Sequence, residues 1–195
     1  MTQRKIPEVL TQDEQQDLID QFNPRYPTSH RNKMLIQLML GTGLRLAEAC
    51  ALRWKHINLT SGKLMVREGK GAKDRTLWLG EDRLEQLRKW KERQVKWLDE
   101  TPEHVFTTRN GDSLSHRYVQ KMVDNYSEKA EIDKNVHPHT LRHTFATDLY
   151  RETGKIRLVQ KALGHSDLST TMIYTHIVDD ELEDALKTFR KKKKA

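Results

Sequence analysis

Apolar residues recur at helical spacing along most of this chain and alternate in only one short stretch. The pattern predicts a mainly α protein with a small antiparallel β-sheet, an α+β class. Thr11 followed by Glu14 is a helix-start signature, because hydroxyl and carboxylate can each satisfy a free backbone N–H at the helix entrance. Leu18, Ile19 and Phe22 then supply a short apolar face, and Asn23 to Thr28, with two prolines, reads as a loop. A second helix carries Leu35, Leu38 and Met39 up to a turn at Gly41-Thr42-Gly43. A third places Arg45 and Glu48 one turn apart on the same side.

The period then changes. Residues 63–68 and 75–79 are short alternating runs, and residues 69–74 between them (Gly-Lys-Gly-Ala-Lys-Asp) form the basic tip of an expected β-hairpin. Helical spacing returns from Glu81 to Leu98, with Leu84, Leu87, Val95 and Leu98 expected to face inwards. After Val105-Phe106 and an Asn110-Gly111-Asp112 turn, Ser115 caps a helix whose inner face is Val119, Met122, Val123 and Tyr126. Pro138 opens a helix holding Leu141, Phe145 and Leu149 that stops at Gly154. Ile156, Val159 and Leu163 form a short helix ended by Gly164. Ser169 to Thr171 cap a segment containing Tyr174, and Asp179 to Arg190 place Leu182, Ala185, Leu186 and Phe189 on one stripe. No internal repeat or linker divides the chain.

Its 195 residues fit one domain that can bury a core without disulfides or metals. With Cys50 as the only cysteine, a disulfide framework and a cysteine-based zinc site are excluded, and a reducing, cytoplasmic setting is expected. No apolar run is long enough to span a membrane, and the polar Thr2 to Lys5 stretch leads into no signal-peptide core, so no membrane partner is expected. The net charge of +7 permits a polyanionic partner but does not establish one, since Arg190 to Lys194 supply five charges and leave +2 for the rest. Such a tail is more often solvated than a specific contact.

Two phosphate motifs are excluded. Gly69-Lys70 lacks the first glycine and the hydroxyl residue of a P-loop, and Gly41-Thr42-Gly43 has Leu46 where a dinucleotide fingerprint needs a third glycine. No nucleotide cofactor is implied. His139 and His143 stand four apart on a helix, but the His-Glu-x-x-His form is absent and no cysteine lies nearby in sequence, which disfavours a metal site.

Taken singly, Arg45 is an ordinary salt-bridge residue, Tyr174 a core tyrosine and His165 a turn residue. Together they match what phosphoryl transfer without a metal requires. A phenol with its pKa near 10 is ionised in only roughly one molecule in a thousand at neutral pH, so a tyrosine nucleophile needs a proton acceptor, for which His139 is the candidate. Arg45 and Arg142 are planar, permanent cations suited to gripping non-bridging phosphate oxygens; His139, three residues before Arg142, projects with it as a paired donor. His165 adds a donor, and Lys70 at the hairpin tip can protonate a departing oxygen.

The set Arg45, Lys70, His139-x-x-Arg142, His165 and Tyr174 resembles, in order and spacing, the signature of the tyrosine recombinase (phage integrase) family. The surrounding text resembles it too, in Gly41 to Arg45 with Glu48, Arg67 to Arg75, His137 to His143, and Leu163 to Asp167 running on to Tyr174-Thr175-His176. The last two stretches are most similar to integron integrases and Xer-type recombinases, without the inserted helix of the integron type.

The resemblance implies the catalytic-domain fold of that family over residues 1–178, with a C-terminal helix and basic tail over 179–195. It implies a site-specific recombinase in which Tyr174 attacks double-stranded DNA, leaving a 3′-phosphotyrosyl link and a free 5′-hydroxyl, with no metal, ATP or other cofactor. Integration, excision, inversion and resolution all stay open. It further implies a homotetramer on paired sites, joined through the C-terminal helix. The separate N-terminal DNA-binding domain of most members is expected to be absent, with weaker, salt-sensitive DNA affinity as the consequence. A nicking-closing enzyme of the type IB topoisomerase kind and a non-catalytic DNA-binding derivative remain alternatives.

Overall fold

The computed structural model of the chain describes residues 7–67, 74–175 and 177–178. Seven α-helices and one two-stranded sheet are assigned among these residues, as the periodicity predicts. Helix α1 (Gln12–Asp20) starts at the expected capping box, the Thr11 hydroxyl accepting from Glu14 N and Glu14 accepting from Thr11 N. Helix α2 (Pro27–Thr42) begins earlier than expected, because Pro27 occupies the first helical position, where its missing N–H is no loss. It buries residues around most of its circumference, among them Met34, Leu35, Ile36, Leu38 and Met39, and packs against two later helices, α4 and α6, whose bounds follow.

Gly43 ends α2 in the left-handed region, with φ +62°. A Cβ there would lie 2.3 Å from the Phe145 ring and 3.1 Å from Leu163, so the position needs both the conformation and the emptiness of glycine. Helix α3 (Leu46–Cys50) follows at once, with Arg45 as N-cap. Strands β1 (Lys63–Val66) and β2 (Arg75–Trp78) pair antiparallel with Lys63 opposite Trp78 and Val66 opposite Arg75. The hairpin tip, residues 68–73, lies outside the described residues, as does the stripe from Asp179 to Arg190.

Helix α4 (Glu81–Leu98) has the expected bounds but a different inner face. Trp90 and Gln94 are fully buried beside Leu84 and Leu87, whereas Val95 and Leu98 are only half-buried. Polar atoms explain the exchange. The Trp90 indole donates to Val105 O at 2.8 Å, and Gln94 accepts from the Trp54 indole at 3.0 Å while donating to Thr107 Oγ1 at 2.9 Å. Helices α5 (His116–Lys129), α6 (Pro138–Thr153) and α7 (Ile156–Leu163) start and stop where Ser115, Pro138, Gly154 and Gly164 predict.

Two apolar clusters result. The larger runs from Leu10 through α2, α4 and α5 to Leu141; the smaller comprises Ala146, Val159, Leu163, Tyr174 and Ile177. Cys50 is buried, which pushes its thiol up to about 11. Among the described residues no helix is long and apolar enough to cross a membrane.

Candidate active site

Arg142 is the best-anchored of the expected residues. It projects from α6 and is 6% exposed, donating to Gly43 O at the end of α2 and to Leu163 O at 2.8 Å at the end of α7. Three helices thus fix one guanidinium. Burial, with Arg45 nearby, lowers its pKa to about 10, which leaves it charged at neutral pH.

Arg45 is held from another direction. Its backbone N–H and its guanidinium both donate to Glu48, at 2.7 and 2.8 Å. The same carboxylate takes two bonds from Arg75, at 2.9 and 2.8 Å, and Arg75 Nε reaches Ala162 O at 2.8 Å. Burial alone would raise the Glu48 pKa, but the bonds from Arg75 and Arg45 outweigh it and hold the carboxyl down at about 2. Sequence reasoning placed Glu48 beside Arg45 and missed Arg75. Its position at the foot of a basic hairpin looks like any exposed strand residue, yet it is 8% exposed and ties β2 to α7.

His165 follows the left-handed Gly164 that ends α7. Its Nε2 lies 3.2 Å from Arg142 Nη2, and its Nδ1 lies 3.0 Å from the Thr171 hydroxyl. A guanidinium can only donate, so Nε2 accepts and the ring proton sits on Nδ1, towards Thr171. Burial, Arg142 and Arg45 bring the His165 pKa down to about 4, and the ring is neutral. In this arrangement the donor expected from His165 faces inwards.

Tyr174 is 1% exposed, in the smaller apolar cluster. Its hydroxyl meets His143 Nδ1 at 2.9 Å, and burial pushes its pKa up to about 12. The expected partnership with His139 is not what the structure contains. His139 is exposed, makes no hydrogen bond among the described residues, and lies close enough to Arg142 and Arg45 that burial and their charges lower its pKa. The sequence offers His143 only as a metal ligand. The signal that could have found it is helical phase, since residues 139, 142 and 143 lie within one turn. Lys70 lies outside the described residues.

A cleft of about 1080 Å³ opens beside this cluster. Arg45, Arg75, Arg157, Lys161 and His165 line it, together with the acidic Asp74 and Asp167. Tyr174 does not line it. Among the described residues no group of three or more His, Cys, Asp or Glu side chains converges as a metal site.

The sequence model of the phage integrase family matches residues 8–181. The chain belongs to that family. It is 40% identical over 174 residues to a protein named tyrosine recombinase XerC from Xanthomonas axonopodis pv. citri, a match covering 89% of this chain and 55% of that one. It is also 40% identical over 185 residues to a tyrosine recombinase of Thermosipho africanus, covering 94% of this chain and 62% of the relative. The chain therefore spans little more than half the length of these relatives.

Among solved structures, XerA recombinase superposes with a TM-score of 0.81 at 31% identity, covering 97% of this chain and 67% of that one. XerH bound to a palindromic difH substrate, in a post-cleavage complex, gives 0.80 at 31% identity, covering 95% of this chain and 54% of that one. The catalytic domain of bacteriophage HP1 integrase shares the fold, with a TM-score of 0.65 at 24% identity over 93% of this chain and 94% of that one.

Proposed function

We propose that this chain is the catalytic part of a site-specific DNA recombinase that cuts and rejoins double-stranded DNA through a 3′-phosphotyrosyl link at Tyr174. The observation that carries this reading is the convergence of Arg142 and His165, 3.2 Å apart, with Arg45 close enough for its charge to lower the pKa of both, and with the Tyr174 hydroxyl bonded to His143 on the same helix as Arg142. Two anchored guanidiniums can hold the non-bridging oxygens of one phosphate and stabilise charge as it develops, without reorganising at that moment. His139, exposed beside them, serves as a further donor to those oxygens, and His165 can present a proton on Nε2 in its other tautomer. Lys70 is assigned the protonation of the leaving 5′-oxygen.

The solved XerH site-specific recombinase is bound to a difH substrate, and the Tn1549 transposon integrase, which shares the fold, is in complex with transposon right end DNA, which supports DNA as the partner here. The basic cleft adjoining Arg45 and His165 suits a duplex backbone. Residues 1–178 are assigned to the catalytic domain and 179–195 to a helix and tail that join protomers in a tetramer on paired sites. A cytoplasmic location accompanies this role.

The test is covalent capture of nicked duplexes from a random-sequence pool, in excess chelator, followed by denaturing electrophoresis. Wild-type protein should yield a denaturation-resistant adduct and Tyr174→Phe none, with DNA binding retained by both. An adduct formed equally by Tyr174→Phe would remove Tyr174 as the nucleophile.

A further inference from the structure

The phenolic proton of Tyr174 must go somewhere when the oxygen attacks phosphorus, and the hydroxyl touches one imidazole. His143 Nδ1 lies 2.9 Å from Tyr174 Oη, at the margin of the smaller apolar cluster that buries the phenol, with the imidazole ring half-buried. A phenol is the better donor and an imidazole nitrogen the better acceptor, so the contact runs O–H to N. Arg142, the most firmly anchored phosphate ligand, is the preceding residue. Side chains of adjacent helical residues diverge by about 100°, so the pair can flank one phosphate without overlapping.

We propose that His143, rather than His139, is the catalytic residue that takes the Tyr174 proton as the bond to phosphorus forms. This rests on Tyr174 being the nucleophile. As Oη bonds to phosphorus, the proton moves from Oη to His143 Nδ1, the bond from phosphorus to the 5′-oxygen breaks, and that oxygen takes a proton from the Lys70 ammonium. In rejoining, the imidazolium returns its proton to the departing phenol. Burial, reinforced by the neighbouring His139, Arg142 and His137, brings His143 down to about 4, so its acceptor lone pair is free at neutral pH. A phosphate anion in the cradle acts in the opposite direction and raises the proton affinity of the ring when it is needed.

The test uses nicked duplexes captured by the wild-type chain and single-turnover adduct formation with His143→Asn and His143→Leu. Asparagine keeps an acceptor near the Nδ1 position but cannot take up a proton. Both variants should cleave at least about 100-fold more slowly, with DNA affinity within about threefold of wild type. Replacing Tyr174 with trifluorotyrosine, whose phenol ionises near neutral pH, should restore cleavage to the His143 variants and not to Arg142→Ala. A readout without DNA is the 19F resonance of a 3-fluorotyrosine at 174, which should shift in His143→Leu.

Wild-type cleavage rates in His143→Asn would overturn the proposal while leaving Tyr174 as nucleophile. Faster cleavage would overturn it too, and make the contact a restraint on the phenol. Trifluorotyrosine rescue of His139→Ala, but not of the His143 variants, would move the role to His139. If wild-type protein captures no duplex, the recombinase reading itself fails and this proposal fails with it.

Discussion

The arginines and the tyrosine of the candidate chemistry are held in different ways. Arg142 is fixed by main-chain carbonyls at the ends of α2 and α7, and Arg45 by a buried carboxylate that Arg75 also grips. Tyr174 is held by four buried apolar neighbours, a few partly buried ones and one described side-chain hydrogen bond. Charges aimed at a transition state act best when they do not move. In the proposed reaction the Tyr174 hydroxyl must turn out of this cover to meet a phosphate while staying within reach of His143, and a small cluster makes that turn cost less. Positive charge is thus fixed by polar bonds, and the tyrosine by a small apolar cluster.

The largest effect should come from removing the link between the two. Arg142→Ala strips partners from Gly43 O and Leu163 O and deletes a phosphate ligand of the proposed reaction. Stability should fall by about 3 kcal/mol and single-turnover cleavage by about 1000-fold. A variant that unfolds at the wild-type temperature would mean that the carbonyl contacts contribute little.

Gly43→Ala tests the seam without touching a charge. The strained φ and the close Phe145 ring should together cost about 2–3 kcal/mol in thermal or denaturant unfolding. A neutral result would show that Phe145 and the turn can both give way.

A third experiment varies pH. The Glu48 carboxyl, held at about 2 against an ordinary 4.5, contributes stability that is full above about 4.5 and lost as pH falls towards 2. His143 and His165, both pushed down from 6.5 to about 4, bind protons more readily when unfolded, so stability should already decline between those values. Acid unfolding should therefore show two windows. Glu48→Gln should remove the lower and keep the upper. A single transition below pH 4.5 would contradict the burial of the two imidazoles.

The smallest effect is the most local. Amide exchange at Val159 and Tyr174 should report opening free energies below those of Leu35 and Leu38 in α2, by about 2 kcal/mol. Equal protection would make the two clusters one cooperative unit and undo the contrast.

Helix ends were the most legible part of the sequence, because caps are chemistry between near neighbours. Thr11 with Glu14, Ser115, Pro138, Gly154 and Gly164 all act where the sequence places them. Burial was less legible wherever a polar group is satisfied from far away in sequence. Gln94 is buried because Trp54, His104 and Thr107 meet its amide, and no local pattern announces that. Arg75 and His143 escaped for the same reason, since their partners Ala162 and Tyr174 are distant along the chain. Pro27 was read as a loop residue because a proline breaks a helix except at its first turn.

The Gly43 carbonyl sets a rule for how related chains can change length. It stands at the end of a helix buried around most of its circumference, so its direction is counted in residues from the start of α2. One residue inserted within α2 turns that end by about 100° and carries the acceptor away from Arg142. A repair must then be made elsewhere in the same helix, by deletion or by a bulge. The connection at the turn from Arg109 to Ser113 carries no such phase, because it is largely exposed. Insertions and deletions among relatives should therefore gather in that connection and avoid α2.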